Sequence, residues 1–352
     1  MVNGHVAHRR GTRSRGVLEG EARRSILTEV ATLYYVDRFN QEQIASQVSR
    51  SVSTVSRLLA EAEAAGIVEV RVRQPTAVAP DLQAALGQRF GLRVVRVLRT
   101  SAEEPRRLVE QLGDLAARYL STILVDGAVL SVGWGTSIYE VVRAINPGPH
   151  QEILVAQALG SLGGRLPAID NPQITRILAE RVGGTPYFLP APMIVESGLV
   201  RDALLQDSQL RETLALGRRS DIALVGIGLA DPEHSGMYRA GYIDAATLES
   251  IRATGVVGDI MVEFFDQYGQ VQDLDVSKRV VGMRLADLRD VRTVIAVAGG
   301  IIKAPAILGA LRTGLIHVLV TDDATARRVL ELADVYPAPE RSGDDARLAQ
   351  RW

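Results

Sequence analysis

The side chains best suited to chemistry lie in three glycine-rich loops. Each follows an apolar run that reads as a strand and precedes a run that reads as a helix. The first is Ser131-Val132-Gly133-Trp134-Gly135-Thr136-Ser137. Gly133 and Gly135 let backbone amides approach a ligand closely, and a helix start favours an anion. Thr136 and Ser137 add hydroxyls. The loop lacks the Gly-Lys-Thr of a Walker loop and is not a full GxGxxG, so a plain tight turn is the alternative reading. The second loop is Gly160-Ser161-Leu162-Gly163-Gly164, with Asn171 beyond it at the start of a helix. The third is Ala298-Gly299-Gly300-Ile301-Ile302-Lys303, where Lys303 can offer a point charge to a phosphate or simply stand on the surface. The chain has 38 arginines and two lysines, Lys278 and Lys303, so a lysine kept at a loop of this kind points to a role that arginine does not fill. Asp259, in Val257-Gly258-Asp259, can accept sugar hydroxyls or hold its own backbone, and Arg239 and Tyr242 sit in a polar loop able to close over a ligand.

A second group of residues suits nucleic acid. Between Asn40 and Gly66 the sequence NQEQIASQVSRSVSTVSRLLAEAEAAG reads as two short helices and a tight turn. Asn40 and Ser51 are natural N-caps. Ile44, Ala45 and Val48 form one apolar face, and Val55, Leu58, Leu59 and Ala62 form the other at i, i+3, i+4, i+7. Left outside at the start of the second helix are Val52, Ser53, Thr54, Ser56 and Arg57. A recognition helix offers its N-terminal residues to DNA; arginine can bridge guanine O6 and N7, and hydroxyls bond bases or phosphates. The alternative is an ordinary helical hairpin with serine caps. Three neighbours favour the DNA reading: a leading helix over 21–38, Gly66 as a helix stop, and alternation through Ile67, Val68, Val70 and Val72 that would start a wing.

At 352 residues the chain can hold two or three domains, and 47% hydrophobic with 23% charged residues is the balance of a globular protein. Net charge is −1, so the whole molecule is no electrostatic DNA binder, yet residues 1–75 carry 11 arginines against 8 acidic residues. The absence of cysteine excludes disulfides, thiolate catalysis and thiolate zinc ligands, and fits a cytoplasmic location. The five histidines are too scattered for a metal signature, and no catalytic group or cofactor is expected. No secretory signal is visible, and the most apolar tract, 294–311, is broken by Gly299, Gly300, Lys303 and Pro305.

Positioning these residues requires a regular frame. Residues 1–20 read as a disordered basic arm, 21–73 as a winged helix-turn-helix, 74–80 as a linker and 337–352 as a polar tail. From 81 to 336 an α/β rhythm runs: helix 81–90, strand 93–98, helix 104–120, strand 128–132, helix 137–145, strand 152–157, helix 173–182, a short extended 187–189, a helix ending at 212–215, strand 222–227, helix 245–252, strand 294–298, helix 304–312, strand 317–321 and helix 324–332. Several strands are continuous apolar runs, as in a sheet covered on both faces. The expected fold is therefore α/β, a doubly wound parallel sheet whose ligands bind at strand C-termini.

The motifs LYYVDRFNQEQIA, STVSRLLAEAEAAGIVEVRV, VGWGTSIYEVV, ALVGIG, GYI, VGDIMVEFFDQYG and VAGGIIKAPAILGALRTGLIHVLVTDDATA, in this order, resemble the SorC (sorbitol-operon) type of bacterial transcription regulator over most of 26–332. The resemblance implies a Rossmann-like effector domain similar to sugar-phosphate isomerases, a phosphorylated sugar or polyol effector, operator DNA as partner, and assembly as a homodimer or homotetramer. It implies that Gly135, Thr136 and Ser137 hold the ligand, with Gly160, Asn171, Asp259 and Lys303 around it. The family places glycine and an apolar residue before the recognition helix; here Ser49 and Arg50 stand there, which brings Arg50 towards a phosphate. Trp134 inside the first loop is positioned to stack on a sugar ring. The competing reading is an isomerase- or aldolase-like enzyme with a DNA-binding appendage, for which Lys303 and Asp259 are the candidate groups and no histidine is placed for proton transfer.

Overall fold

The computed structural model describes residues 23–68, 77–100, 104–146, 148, 152–163, 166 and 169–337. The expected basic arm, the bulk of the wing, the first half of the linker and the polar tail lie outside the described residues. The chain divides into two compact units, 1–75 and 76–352.

In the first unit, α1 (residues 23–31) runs into a π-helical turn, Thr32–Val36. Helix α2 (Gln41–Gln47) opens with a reciprocal capping box between Asn40 and Gln43, each bond 2.9 Å. It ends in a Schellman turn: Arg50 N donates to Ala45 O at 2.9 Å while Ser49 adopts φ +53°. Helix α3 (Val52–Ala64) is capped by Ser51, whose Oγ accepts from Thr54 N, and stops at Gly66 with φ +69°. Val55, Leu58, Leu59 and Ala62 pack on Leu27, Val30, Ala31, Ile44 and Ala45, a small core of this unit's own. Ile67 and Val68 are not in a strand.

The second unit begins earlier than the linker reading placed it. Ala79 N donates to Val97 O at 3.0 Å, Val78 bridges Leu98, and Pro80 is already the first residue of a helix. These are chain-to-sheet bonds, so residues 77–80 belong to the domain. In order it comprises α4 (Pro80–Phe90), β1 (Val94–Leu98), α5 (Pro105–Ile123), β2 (Val129–Val132), α6 (Thr136–Ala144), β3 (Leu154–Gln157), α7 (Asn171–Val182), β4 (Thr185–Tyr187), α8 (Gly198–Leu204), α9 (Ser208–Arg218), β5 (Ile222–Gly226), β6 (Gly228–Leu229), α10 (Gly236–Arg239), α11 (Ala245–Ala253), β7 (Val256–Ile260), β8 (Glu263–Asp266), α12 (Asp275–Lys278), β9 (Thr293–Val297), α13 (Ala304–Arg312), β10 (Val318–Asp322) and α14 (Asp323–Val335).

Seven strands form one sheet in the order β1-β10-β9-β5-β2-β3-β4, and every pairing is parallel. Successive side chains of a strand point to opposite faces. Thus Ile222, Leu224, Ile295, Val297, Val318 and Val320 enter one core with α5, α6 and α7, whereas Ala223, Val225, Val294, Ala296 and Leu319 enter the other with α4, α9, α13 and α14. Strand order reverses between β2 and β5, which is where an open α/β sheet leaves a crevice.

A second sheet, antiparallel and ordered β6-β7-β8, follows β5. The turn joining β7 to β8 is Met261-Val262, both at positive φ (53° and 63°) and both buried. Asp259 Oδ2 accepts from Val262 N at 3.2 Å, and Ser277 Oγ donates to Val262 O at 2.9 Å. Side-chain bonds therefore hold a turn that glycine or asparagine would ordinarily fill.

Candidate effector cavity and DNA-reading helix

Three chain segments leave the C-terminal ends of β2, β5 and β9 and enclose a cavity of about 120 Å³. From β2 come Gly133, Trp134, Gly135, Thr136 and Ser137; from β5 come Gly226, Ile227 and Gly228; and the loop after β9 delivers Lys303. Gly133 N donates to Leu224 O at 2.9 Å, which ties the first loop to the neighbouring strand. Gly135, at φ 110°, is the N-cap of α6, and no side chain caps that helix. Helices α4, α5 and α13 likewise lack a side-chain cap, whereas Ser51, Asp170, Asp207, Asp244 and Asp322 each accept a first-turn amide of their own helix. Among the described residues no side-chain cap bond is made to the first amides of α6, which border the cavity at the positive end of a helix dipole.

Asp259 reaches the cavity from β7 through its pairing with Gly228. A Cβ at Gly228 would lie 2.1 Å from Asp259 Oδ1, so only glycine leaves room for the carboxyl. Burial pushes the Asp259 carboxyl up to about 6, with the Val262 N–H and nearby Lys303 opposing. Lys303 Nζ donates to Ile227 O at 2.8 Å. Burial lowers its pKa, and Asp259 offsets only part of that. The loop carrying Lys303 is pinned by Asp322, whose Oδ2 accepts from Gly300 N at 2.7 Å and from Thr325 Oγ1 at 2.6 Å.

Of the residues expected around a ligand, the structure brings together Gly133, Gly135, Thr136, Ser137, Asp259 and Lys303. It does not bring Gly160 or Asn171 to the cavity wall. Gly160 packs against the backbone of Ala191 and Pro192, where a Cβ would come within 2.5 Å of an oxygen. Asn171 is fully buried; its Nδ2 donates to Leu159 O and Gly160 O at 3.0 and 3.3 Å at the β3 exit, and its Oδ1 has no partner among the described residues. Arg239 lines the cavity; Tyr242 instead donates its hydroxyl to Ser161 O at 3.1 Å. Trp134 also lines the cavity, with its ring close against Gly236.

The expectation that no histidine is placed for proton transfer is corrected: His234 is part of the wall, with Nδ1 and Asp231 Oδ1 2.7 Å apart. Ile169, Val225, Met237 and Met261 were also missed. Ala230–Ser235 carries no periodic pattern, so nothing in the sequence alone could place His234. Met261 could have been found only by recognising the β7–β8 hairpin.

On α3, Val52, Ser53, Ser56 and Arg57 are exposed and Thr54 is partly so, as is required of residues that meet a partner. Ser51 is a cap first, and its Oγ also lies within 2.9 Å of Ser53 Oγ and 2.8 Å of Thr54 Oγ1. Arg50 is exposed on the turn.

A helix-turn-helix reader joined to a doubly wound sheet, with an anion-ready cavity at its switch point, defines a class: DNA-binding proteins that carry a small-molecule domain. The family model described as "Putative sugar-binding domain" matches residues 75–331. The chain is 30% identical over 302 residues to the deoxyribonucleoside regulator of Bacillus subtilis, covering 86% of this chain and 96% of that protein. It is 32% identical to the transcriptional regulator LsrR of Klebsiella pneumoniae over 316 residues, 89% of this chain and 94% of the relative. The crystal structure of the full-length sorbitol operon regulator SorC from Klebsiella pneumoniae superposes with a TM-score of 0.68 at 25% identity, covering 87% of this chain and 98% of that one. The chain belongs to the SorC/DeoR-type family of transcriptional regulators with a sugar-binding domain.

Proposed function

We propose that this regulator represses genes for carbohydrate or polyol use and that a phosphorylated sugar or polyol in the cavity sets its grip on operator DNA. It acts in the cytoplasm as a homodimer or homotetramer and is not an enzyme. The observation that carries the reading is the uncapped start of α6, facing a cavity that also holds Asp259 and Lys303. The amides of Thr136 and Ser137 take the phosphate, Arg239 adds charge at the wall, and Asp259 accepts ligand hydroxyls. The relatives support the ligand class, since their names include regulators of sorbitol, erythritol and deoxyribonucleosides. The volume of about 120 Å³ lies below the ~300–1,000 Å³ of drug-sized sites, which favours a short ligand.

In this reading α3 lies in the major groove, with Ser53, Thr54, Ser56 and Arg57 at bases or phosphates, Val52 at an apolar base edge and Arg50 at the backbone. The test is a mobility shift with DNA from upstream of the protein's own gene, run against sugar phosphates and their dephosphorylated forms. Specific binding that changes with a phosphorylated compound, and not with its free sugar, is expected. No specific complex at low salt, or equal effects of the two forms, overturns the reading. Arg57→Ala should weaken specific binding by about 1–3 kcal/mol, roughly 5- to 150-fold, and leave effector binding intact; loss of both together assigns Arg57 to folding instead.

A further inference from the structure

The chain that leads to the DNA reader enters the large domain at the edge where the cavity opens. All strands of the seven-stranded sheet are parallel, so the C-terminal end of β1 lies on the cavity side. Residues 77–79 run the opposite way along β1. Val78 bridges Leu98, Ala79 N donates to Val97 O at 3.0 Å, and Arg99 N donates to Ala77 O at 2.8 Å. Ala77 is therefore the end of this segment nearest the cavity edge, and the chain before it runs to the reader. Beside β1, Leu98 pairs with Asp322, the last residue of β10. Asp322 is buried and serves two elements at once. Its Oδ1 accepts from Thr325 N at 2.8 Å and its Oδ2 from Thr325 Oγ1 at 2.6 Å, which caps α14. The same Oδ2 accepts from Gly300 N at 2.7 Å, in the turn that delivers Lys303 to the cavity. The contact is tight: a Cβ at Gly299 would lie 2.6 Å from Oδ2 and 2.4 Å from Leu112 Cδ1. Turn and carboxylate cannot move independently in such packing.

We propose that Asp322 is a positioning residue that carries the state of the cavity turn to residues 77–79, and so to the chain that holds the DNA reader. The inference rests on the cavity being the effector site. Asp322 itself does not line the cavity. The switching element is the Gly299-Gly300 pair. Gly300 sits at φ +93°, and two glycines in succession give the peptide between them a second orientation that side chains would forbid. A guest that shifts the 300–303 turn either swings the Gly300 N–H away from Asp322 or draws the carboxylate after it. The first outcome frees the end of β10 and the second moves it, because Asp322 is its last residue and also starts α14. Leu98 follows through its pairing with Asp322, and Val78 through its bridge to Leu98. Thr100 N, 3.4 Å from Asp323 Oδ1, ties the chain after β1 to the same helix start. Packed elements of this kind switch between discrete arrangements and do not deform smoothly. The path from turn to linker is one hydrogen bond, one strand pairing and one bridge, with Asp322 supplying the side chain.

The experiment uses the full chain, its upstream DNA, and sorbitol 6-phosphate, erythritol 4-phosphate and 2-deoxyribose 5-phosphate, esters of the sugar classes in the relatives' names. Asp322→Asn keeps an oxygen for Thr325 N and is itself a favoured N-cap, but it sets an N–H against the Gly300 N–H. Thr325→Val removes the hydroxyl at Oδ2 and leaves the Gly300 bond. In wild type, the ester that changes operator affinity most sets the reference ratio. Asp322→Asn, checked for folding by its melting temperature, should bind that ester within about threefold of wild type, yet its operator affinities with and without ester should differ by less than about twofold. Thr325→Val should keep most of the wild-type ratio. A wild-type ratio in Asp322→Asn overturns the proposal. So does loss of ester binding together with the response, which leaves Asp322 only shaping the cavity. Hydrogen exchange gives a reading that needs no ester: in Asp322→Asn the amides of Gly300, Ala79 and Arg99 should all exchange about tenfold faster, while Gly133, bonded to Leu224 O, should not change. Faster exchange at Gly300 alone overturns the relay. Should the asparagine variant not fold, Asp322→Ser replaces it, since its hydroxyl can cap α14 but is too short to reach Gly300. If no ester alters the operator affinity of wild type, the effector reading fails, and the exchange result decides by itself whether the link exists.

Discussion

Asp259 is buried with its carboxyl raised from 3.8 to about 6. A folded-state value above the unfolded one means that the neutral form is favoured by folding. Its stabilising contribution is complete below the unfolded value and is lost as pH rises through about 6, so the ionised side chain is a burden above that. A shift of this size corresponds to on the order of 3 kcal/mol. Asp259→Asn removes the burden and keeps an oxygen for the Val262 N–H. The variant should melt at a higher temperature than wild type at slightly alkaline pH, and its melting temperature should vary less as pH rises through about 6. It should also bind effector more weakly. Melting curves across that range check this; an unchanged pH dependence removes Asp259 as the titrating group. At this scale the sequence was informative about loop residues and silent about their neighbours. Gly135, Thr136, Ser137 and Lys303 stand beside glycines in strand-to-helix loops, a local pattern. His234 and Met261 reach the cavity by tertiary placement, which one-dimensional spacing does not encode. Gly160 and Asn171 lie at the β3 exit and off the wall of this cavity, a placement that local spacing does not reveal.

The elements divide the same way. The parallel strands are apolar on both faces, and the helices between them alternate with the 3.6-residue period, so their order was readable within a few residues. The antiparallel β6-β7-β8 sheet was not. Its hairpin turn is Met261-Val262 where Asn-Gly or Asp-Gly is the usual signal, and the turn is held by Asp259 of β7 and by Ser277 from α12. The opposite situation occurs at Ser49, where a left-handed residue is needed and the side chain opposes it. Relief of the left-handed penalty, roughly 1–2 kcal/mol, exceeds the ~0.4–1 kcal/mol of extra chain entropy that glycine brings. Ser49→Gly should therefore stabilise the α2–α3 turn by up to about 1 kcal/mol. Slower hydrogen exchange at α2 and α3 amides is the expected readout, and unchanged or faster exchange shows that the turn stores no strain.

For the whole molecule, binding at cavity and DNA are linked equilibria. If effector lowers operator affinity by some factor, operator must lower effector affinity by the same factor. Calorimetric titration of effector into free protein and into the protein–operator complex should return matching ratios. An effector affinity indifferent to DNA would mean that the two sites are not coupled at equilibrium. The position of β1 at the sheet edge adds a matter of timing. Its one partner within that sheet is β10, whose residues 318–322 come near the end of synthesis. Among the described residues, the last to pack on the reader's own core is Val68. Roughly 250 residues separate the two events, about 10–50 s of translation at bacterial speeds. In a newly made chain the residues of the first unit can therefore pack tens of seconds before the edge of the large sheet can close.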